Sequence, residues 1–266
     1  MIKLGVNSVL FRDYDFATAV KHIADCGYDG VEISAIEGMC EHLVLSDWKA
    51  QAAELKAIVA DAGIEFVSME EARLDEARLM LAYEAAAEIG IPVVNVGPGG
   101  ASDVEQDIQA SIELLAKMSE KAEPFGVTLC VKAHVNSAIY NTPTTLRAME
   151  SIRSPAFGID MDPSHIYRAN EDPEKALPAV LGRVRHVHIR DCKGRGSGPG
   201  APRDQACGRG DIDLYGYCKA MVDGGYDGPV ALEVIGVKEF ALEDVCTIAA
   251  ESYGYLNAIL KALGAR

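Results

Sequence analysis

The sequence predicts one (β/α)8 barrel over residues 1–266, and three observations carry that prediction. Short apolar runs alternate with longer amphipathic segments eight times along the chain. Glycine closes most of the amphipathic segments just ahead of the next apolar run. Polar and charged residues gather at the C-terminal ends of the runs, where barrel enzymes build their sites. Strict alternation of this kind implies parallel strands joined by helical crossovers. A doubly wound open sheet is the rival, but it usually carries a Gly-rich turn after its first strand, and "GVNSVLF" is no such turn. No stretch reads as a domain boundary.

The first strand is "IKLGVN" (2–7), followed by a helix over 15–26. "ADCGYDG" ends that helix with glycine, which reaches the left-handed conformation at low cost. The second strand, "GVEIS" (30–34), precedes a helix over 47–62, closed by "DAGI". "IEFVSM" (64–69) and a helix over 75–89 come next, closed by "EIGI". "PVVNVG" (92–97) leads to a helix over 104–123, closed by "PFGV". The fifth strand, "VTLCVKAH" (127–134), is followed by a helix over 143–152. "AFGIDMD" (156–162) and a helix over 173–182 form the sixth unit. "RHVHIRD" (185–191) and a helix over 212–223, closed by "VDGGYDG", form the seventh. "PVALEVIG" (229–236) and a helix over 241–263 complete the set.

Composition narrows the function classes. The chain has 40 Asp and Glu against 25 Lys and Arg, a net charge of −15, which disfavours nucleic-acid partners. No run approaches the ~20 apolar residues of a membrane span, and the N-terminus lacks a leader pattern. Seven scattered cysteines without a C-x-x-C pair suit a reduced, cytoplasmic protein with buried thiols, Cys130 among them.

Side chains alternate faces along a strand, so the apolar outer set identifies the inner one. With Leu129 and Val131 outward, Lys132 and His134 point into the barrel. The same parity turns Asp160, Asp162, His186, His188, Arg190 and Glu233 inward, with Glu32, Ser34 and Asn7 from the first two strands. Charges inside a barrel are costly unless paired or metal-bound. The alternatives are a structural ion-pair network and an acid–base or metal site. Asp162, His188 and Glu233 are suitable ligands for Mn, Mg, Co or Zn. Glu233 is also placed to move a proton. "DPSH" sets His165 on the rim, within reach of a substrate hydroxyl. The Gly-rich loop 191–211 follows the seventh strand with Lys193, Arg195, Arg203 and Arg209 and reads as a lid.

The segments "GYDGVEIS", "GIDMDPSHIYRA", "HVHIRD", "GRGDIDL" and "ALEV" resemble the xylose-isomerase-like TIM barrels, the sugar phosphate isomerase/epimerase group. That group includes ketose 3-epimerases, hydroxypyruvate isomerase, inosose dehydratase and, more distantly, endonuclease IV. The resemblance covers essentially the whole chain. It implies a single-domain (β/α)8 TIM barrel acting as a sugar isomerase or epimerase on a small sugar or sugar acid. The expected chemistry is a metal-assisted proton transfer through an enediolate. It implies a divalent metal on Asp162, His188 and Glu233, and a homodimer or homotetramer. His165, His134, Glu32, Arg190 and Asn7 become the expected substrate contacts, and Glu233 and Lys132 the catalytic pair.

One position departs from the pattern. The family carries a metal-binding glutamate where "KAH" here has Lys132. Three outcomes follow. Lys132 acts as a general acid or base beside a three-ligand metal; its ammonium replaces the metal; or it forms a Schiff base with a keto sugar. The change also admits a lyase (dehydratase, decarboxylase or deglycosylating elimination) or a non-catalytic sugar-binding barrel. A repair endonuclease would need further histidines on the third and fourth strands, whose ends read "VSME" and "NVGP".

Overall fold

The computed structural model describes residues 1–196 and 198–266. Among these, eight parallel strands form the barrel: β1 (Lys3–Asn7), β2 (Gly30–Ile36), β3 (Glu65–Ala72), β4 (Val93–Val96), β5 (Thr128–Lys132), β6 (Phe157–Asp160), β7 (Val184–Ile189) and β8 (Pro229–Leu232). β1 pairs with both β2 and β8, which closes the cylinder. A two-residue antiparallel strand, Cys40–Glu41, folds back onto the end of β2.

Helices α1 (Phe16–Asp25), α2 (Trp48–Asp61), α3 (Glu76–Ile89), α4 (Glu105–Ala122) and α5 (Thr142–Ser151) follow β1 to β5 in turn. A short α6 (Pro163–Arg168) and α7 (Pro173–Val180) follow β6; α8 (Leu214–Asp223) and α9 (Leu242–Ala262) complete the ring. Side chains cap many of them, as sequence predicts for Asp and Asn before a helix: Asp15 accepts from the Thr18 amide and Asn141 forms a capping box with Thr144. Leu129, Val131, Phe157, Ile159, Val187 and Ile189 are fully buried under the helices, which agrees with the parity assigned to them. No described helix is long and apolar enough to cross a membrane. All seven cysteines are free thiols.

The strand ladder shifts register at three places, and each adjoins a carboxylate of the barrel interior. The shifts fall between Val31 and Glu32 on β2, between Glu70 and Ala72 on β3, and between Ile159 and Asp160 on β6, each where that strand pairs with the next. Bulges re-aim side chains and recur beside active sites. The first of them makes Val67 the extra residue of β3. Val67 then fills the barrel floor against glycines: a Cβ on Gly30 would lie 2.6 Å from Val67 Cγ1 and 2.7 Å from the Glu65 carbonyl oxygen.

This contact makes a stability prediction. Gly30→Ala forces β3 backbone to move and should lower stability by about 2 kcal/mol. Urea unfolding would report it as a lower midpoint at unchanged slope; an unchanged midpoint would mean that the floor is not packed as described.

Candidate active site

The polar interior has two layers. The deeper one is wholly buried and holds Glu32, Ser68, Asn95, Asp160, His186 and His188. His188 lies between two carboxylates: its Nε2 meets Glu32, and its Nδ1 is 2.5 Å from Asp160 Oδ2. Burial alone would lower its pKa, but Asp160 and Glu32 outweigh burial and raise it well above the ordinary range. His188 is therefore an imidazolium. Asp160 is held well below the carboxylate range by His188 and His186 against the cost of burial. His186 contacts Asp160 Oδ1 at 3.0 Å, Ser68 Oγ at 2.9 Å and Asn95 Nδ2 at 3.1 Å.

Asn7, the last residue of β1, connects this layer to the next. Its amide donates to Glu32 Oε2 at 3.0 Å and to Glu70 Oε2 at 2.6 Å. Glu70 lies on β3, and Glu233 follows β8 directly. Lys132, at the end of β5, donates to Glu70 Oε1 at 2.8 Å and to Glu233 Oε1 at 3.0 Å. Arg190 flanks Glu233 Oε2 at 3.3 Å and Asp162 Oδ2 at 3.2 Å, and donates to Ser164 Oγ at 2.8 Å. Asp162 caps α6 by accepting from the Ser164 amide at 2.7 Å.

These groups face a cavity of about 320 Å³ at the C-terminal mouth, with Glu70, Lys132, His134, His165, Arg190 and Glu233 in its wall. The cavity suits a molecule of monosaccharide size. His134 and His165 stack with ring centroids 4.0 Å apart. Burial lowers the pKa of both rings, helped by Lys132 at His134 and chiefly by Arg190 at His165, which favours their neutral, hydrogen-bonding forms.

Charge is divided unevenly between the two mouth carboxylates. Burial and the neighbouring Glu233 push Glu70 up to about 7 despite Lys132. Burial would raise Glu233 too, but Lys132 and Arg190 outweigh it and hold that carboxyl well below the usual range. For Lys132, the Glu233 and Glu70 carboxylates outweigh burial and raise its pKa, so it stays an ammonium.

The structure thus places Lys132, Glu233, Arg190, His165 and His134 in the cavity wall. Asn7, Glu32 and His188 lie beneath it, and Asp162 sits behind Arg190. The inward set drawn from the sequence leaves out Glu70, Ser68 and Asn95, because it takes no residue from the third and fourth runs. Glu70 would have followed from extending the alternation one residue past "IEFVSM", since β3 runs on to Ala72. The loop 191–211, with Ser197 outside the described residues, sends its basic groups away from the cavity. Arg195 pairs with Asp172 and covers the Tyr167 ring, Arg203 pairs with Asp244, Arg209 with Glu251 and Lys193 with Asp211. The guanidinium in the cavity wall beside Glu233 comes from the strand end, at Arg190.

Two clusters bring ligand atoms within 4.8 Å of one another: Glu70, His188 and Glu233, and Glu32, His186 and His188. Neither contains Asp162. Two of the expected ligands, His188 and Glu233, fall in one cluster with Glu70, while Asp162 and the family's strand-5 glutamate position stand outside it. That last position is a lysine, His188 is engaged at both nitrogens, and the free oxygens of Asp162 and Glu233 face Arg190. A dication about 4 Å from the ammonium, at an effective dielectric of about 20, would be repelled by about 8 kcal/mol.

The Lys132 bridge has a measurable consequence. Lys132→Met leaves two buried carboxylates facing each other, and should cost about 3–5 kcal/mol at pH 7. Glu70 adds a pH signature. The folded chain keeps a proton on Glu70 that the unfolded chain releases near pH 4.5, so this contribution to stability falls as pH rises from 4.5 through 7. Urea titrations across that window should show the decline in the wild type and its loss in Glu70→Gln.

Residues 20–257 match the family model described as xylose isomerase-like TIM barrel. The chain is 24% identical over 257 residues to an inosose isomerase of Bacillus licheniformis, covering 91% of this chain and 90% of that one. It is 21% identical over 211 residues to an inosose dehydratase of Mesomycoplasma hyopneumoniae, covering 72% and 70%. Among solved structures it is similar to a D-tagatose 3-epimerase-like protein, with TM-score 0.78 and 19% identity over 99% of this chain and 98% of that one. It is also similar to the probable 3-DHS dehydratase AsbF of Bacillus anthracis, with TM-score 0.75 and 16% identity over 94% and 97%. Closed parallel barrel, strand-end site and family match agree: the chain belongs to the xylose isomerase-like TIM barrel family.

Proposed function

We propose that this chain is a keto-sugar or keto-polyol isomerase or epimerase that works through an enediolate, with Lys132 and Arg190 supplying the positive charge. The observation that carries this reading is the Lys132 ammonium set between Glu70 and Glu233 in the cavity wall. An enediolate needs a base beside the carbon and positive charge beside the oxygens. The two carboxylates reach the cavity from β3 and β8, so a pair is present although the strand-5 glutamate is absent. Glu70, with its pKa pushed to about 7, is poised to accept and return a proton near neutral pH.

The proposed sequence is short. A substrate carbonyl takes one of the hydrogen bonds that Lys132 now gives to carboxylate. The carboxylate so released removes the proton from the adjacent carbon, and Lys132 with Arg190 stabilises the developing oxyanion. The other carboxyl, which enters protonated, delivers its proton to the same carbon from the opposite face to give the epimer, or to the former carbonyl carbon, while the proton of the adjacent hydroxyl passes to the oxyanion, to give the isomer. The high pKa of Lys132 supports its role as a fixed cation over that of a Schiff-base nucleophile, which must be neutral to attack. The inosose dehydratase relatives keep elimination as the second reading: the same base would act and a hydroxyl would leave instead.

The test uses proton exchange. Purified protein in D2O with D-fructose, D-tagatose or inosose should exchange the hydrogen next to the carbonyl and form a new isomer by NMR. Glu233→Gln and Glu70→Gln should each slow exchange by about 10²–10⁴-fold. EDTA should leave the wild-type rate unchanged. Loss of activity in EDTA, restored by Mn²⁺, would overturn the cationic role given to Lys132. A dehydrated product would select the elimination reading.

A further inference from the structure

The reaction cavity does not end at His134. Ala72, Gly97 and His134 are also walls of a second, larger cavity of about 600 Å³. Its far side is made by Gly99, Gly100 and the α4 residues Ala110, Ser111 and Leu114. Together the two spaces exceed what one small keto sugar occupies.

One buried group in this second wall lacks a partner. The Ser111 hydroxyl has no hydrogen bond among the described residues, although the residue is only 5% exposed. An unpaired buried hydroxyl is costly, but its oxygen is closed off from solvent, so it lies behind this wall and does not face the cavity. The junction is also conformationally strained. Ala72, shared by both cavities, has φ +71, and Asn136 in the first cavity wall has φ +67, values rare outside glycine.

The charge pattern selects the ligand. The first turn of α4 carries Glu105 and Asp107, and Asp107 already accepts from the Ala101 amide at 2.8 Å. That helix end therefore does not favour an anion. Arg73, the cation in this wall, is engaged by Glu37. What remains is an apolar surface from Leu74, Ala110 and Leu114 with hydroxyl and backbone groups at its edge. Such a lining fits a neutral, hydroxylated ring and disfavours a phosphate.

We infer that the second cavity is a subsite for a neutral glycosyl unit attached to the reacting keto sugar. The preferred substrate is then a two-ring glycosyl ketose whose keto carbon is unsubstituted, not a free monosaccharide or a sugar phosphate. This rests on the keto-sugar reading above and adds the class of substituent.

The experiment compares D-fructose with three glycosyl fructoses, turanose, lactulose and isomaltulose, which carry the second ring at different hydroxyls. Calorimetric titration of the wild type should find at least one bound about tenfold or more tighter than D-fructose. Ala110 is exposed, so Ala110→Trp fills the subsite without touching the core. In that variant the affinity ratio of disaccharide to D-fructose should collapse to about one. Ser111→Ala, which changes an atom behind the wall, should leave the ratio unchanged. If D-fructose binds but no glycosyl fructose gains, or the gain survives Ala110→Trp, the subsite is refuted and the keto-sugar reading stands. If neither D-fructose nor the disaccharides bind, the keto-sugar reading falls and takes the subsite with it.

Discussion

The structure depends on one interaction, the ammonium of Lys132 shared by Glu70 and Glu233. It joins β5 to β3 and β8 across the mouth of the barrel. Glu32, Glu70, Asp160, Asp162 and Glu233 are all buried near this mouth, and unpaired they would be far too costly to fold around. Each has a cation or amide against it. His188 takes Glu32 and Asp160, Asn7 ties Glu32 to Glu70, and Arg190 takes Asp162 and Glu233. Lys132 completes the chain. Without it the two carboxylates that face the cavity would repel each other with nothing between them.

The division into layers explains how so much charge can be both structural and chemically useful. The deeper groups are closed on one another and do not reach the cavity. They fix the orientation of Glu70 from below, through Asn7, and contribute the imidazolium charge of His188. The upper groups border the cavity: Glu233 Oε2 and Asp162 Oδ2 form no hydrogen bond among the described residues, with the Arg190 guanidinium opposite both and His165 Nε2 3.6 Å from Asp162 Oδ2. Groups held firmly on one side and loosely on the other are suited to exchange a protein contact for a substrate contact.

The fold was legible in the sequence because its signals are local. The apolar runs and the amphipathic segments recur in every unit, glycine marks most of the αβ corners, and the alternation along β5 to β8 turned Lys132, His188, Arg190 and Glu233 inward. The pairing was not legible. Glu70 escaped because β3 continues past its apolar run, and a bulge after Glu70 breaks the simple period. His188 had the right parity for a metal ligand, but only the register between β2, β6 and β7 reveals that Glu32 and Asp160 occupy both its nitrogens. The loop 191–211 had the composition of a lid, while the acidic partners of its arginines lie just before α7 and on α9, far away in sequence. Parity is a property of one strand; partnership is a property of several.

The lysine in place of the family glutamate can be understood as an exchange of charge carriers. The usual site places one dication among anionic ligands. Here an anionic ligand has become a cation, and Arg190 stands beside it, so two unit charges occupy the region where the dication would act. They differ from a metal in geometry, because an ammonium and a planar guanidinium present directed donors at separate points and not one spherical centre. A cis-oriented pair of oxygens, as in an enediolate, can be met at both ends by such donors. The exchange also shifts the acid–base balance. A metal would lower the pKa of every carboxylate around it, whereas Lys132 and Arg190 act most on Glu233 and leave Glu70 near neutrality. Under the proposed reading Lys132 and Arg190 keep Glu233 ionised as the base, while burial and Glu233 hold Glu70 near neutrality as the group that carries the returning proton.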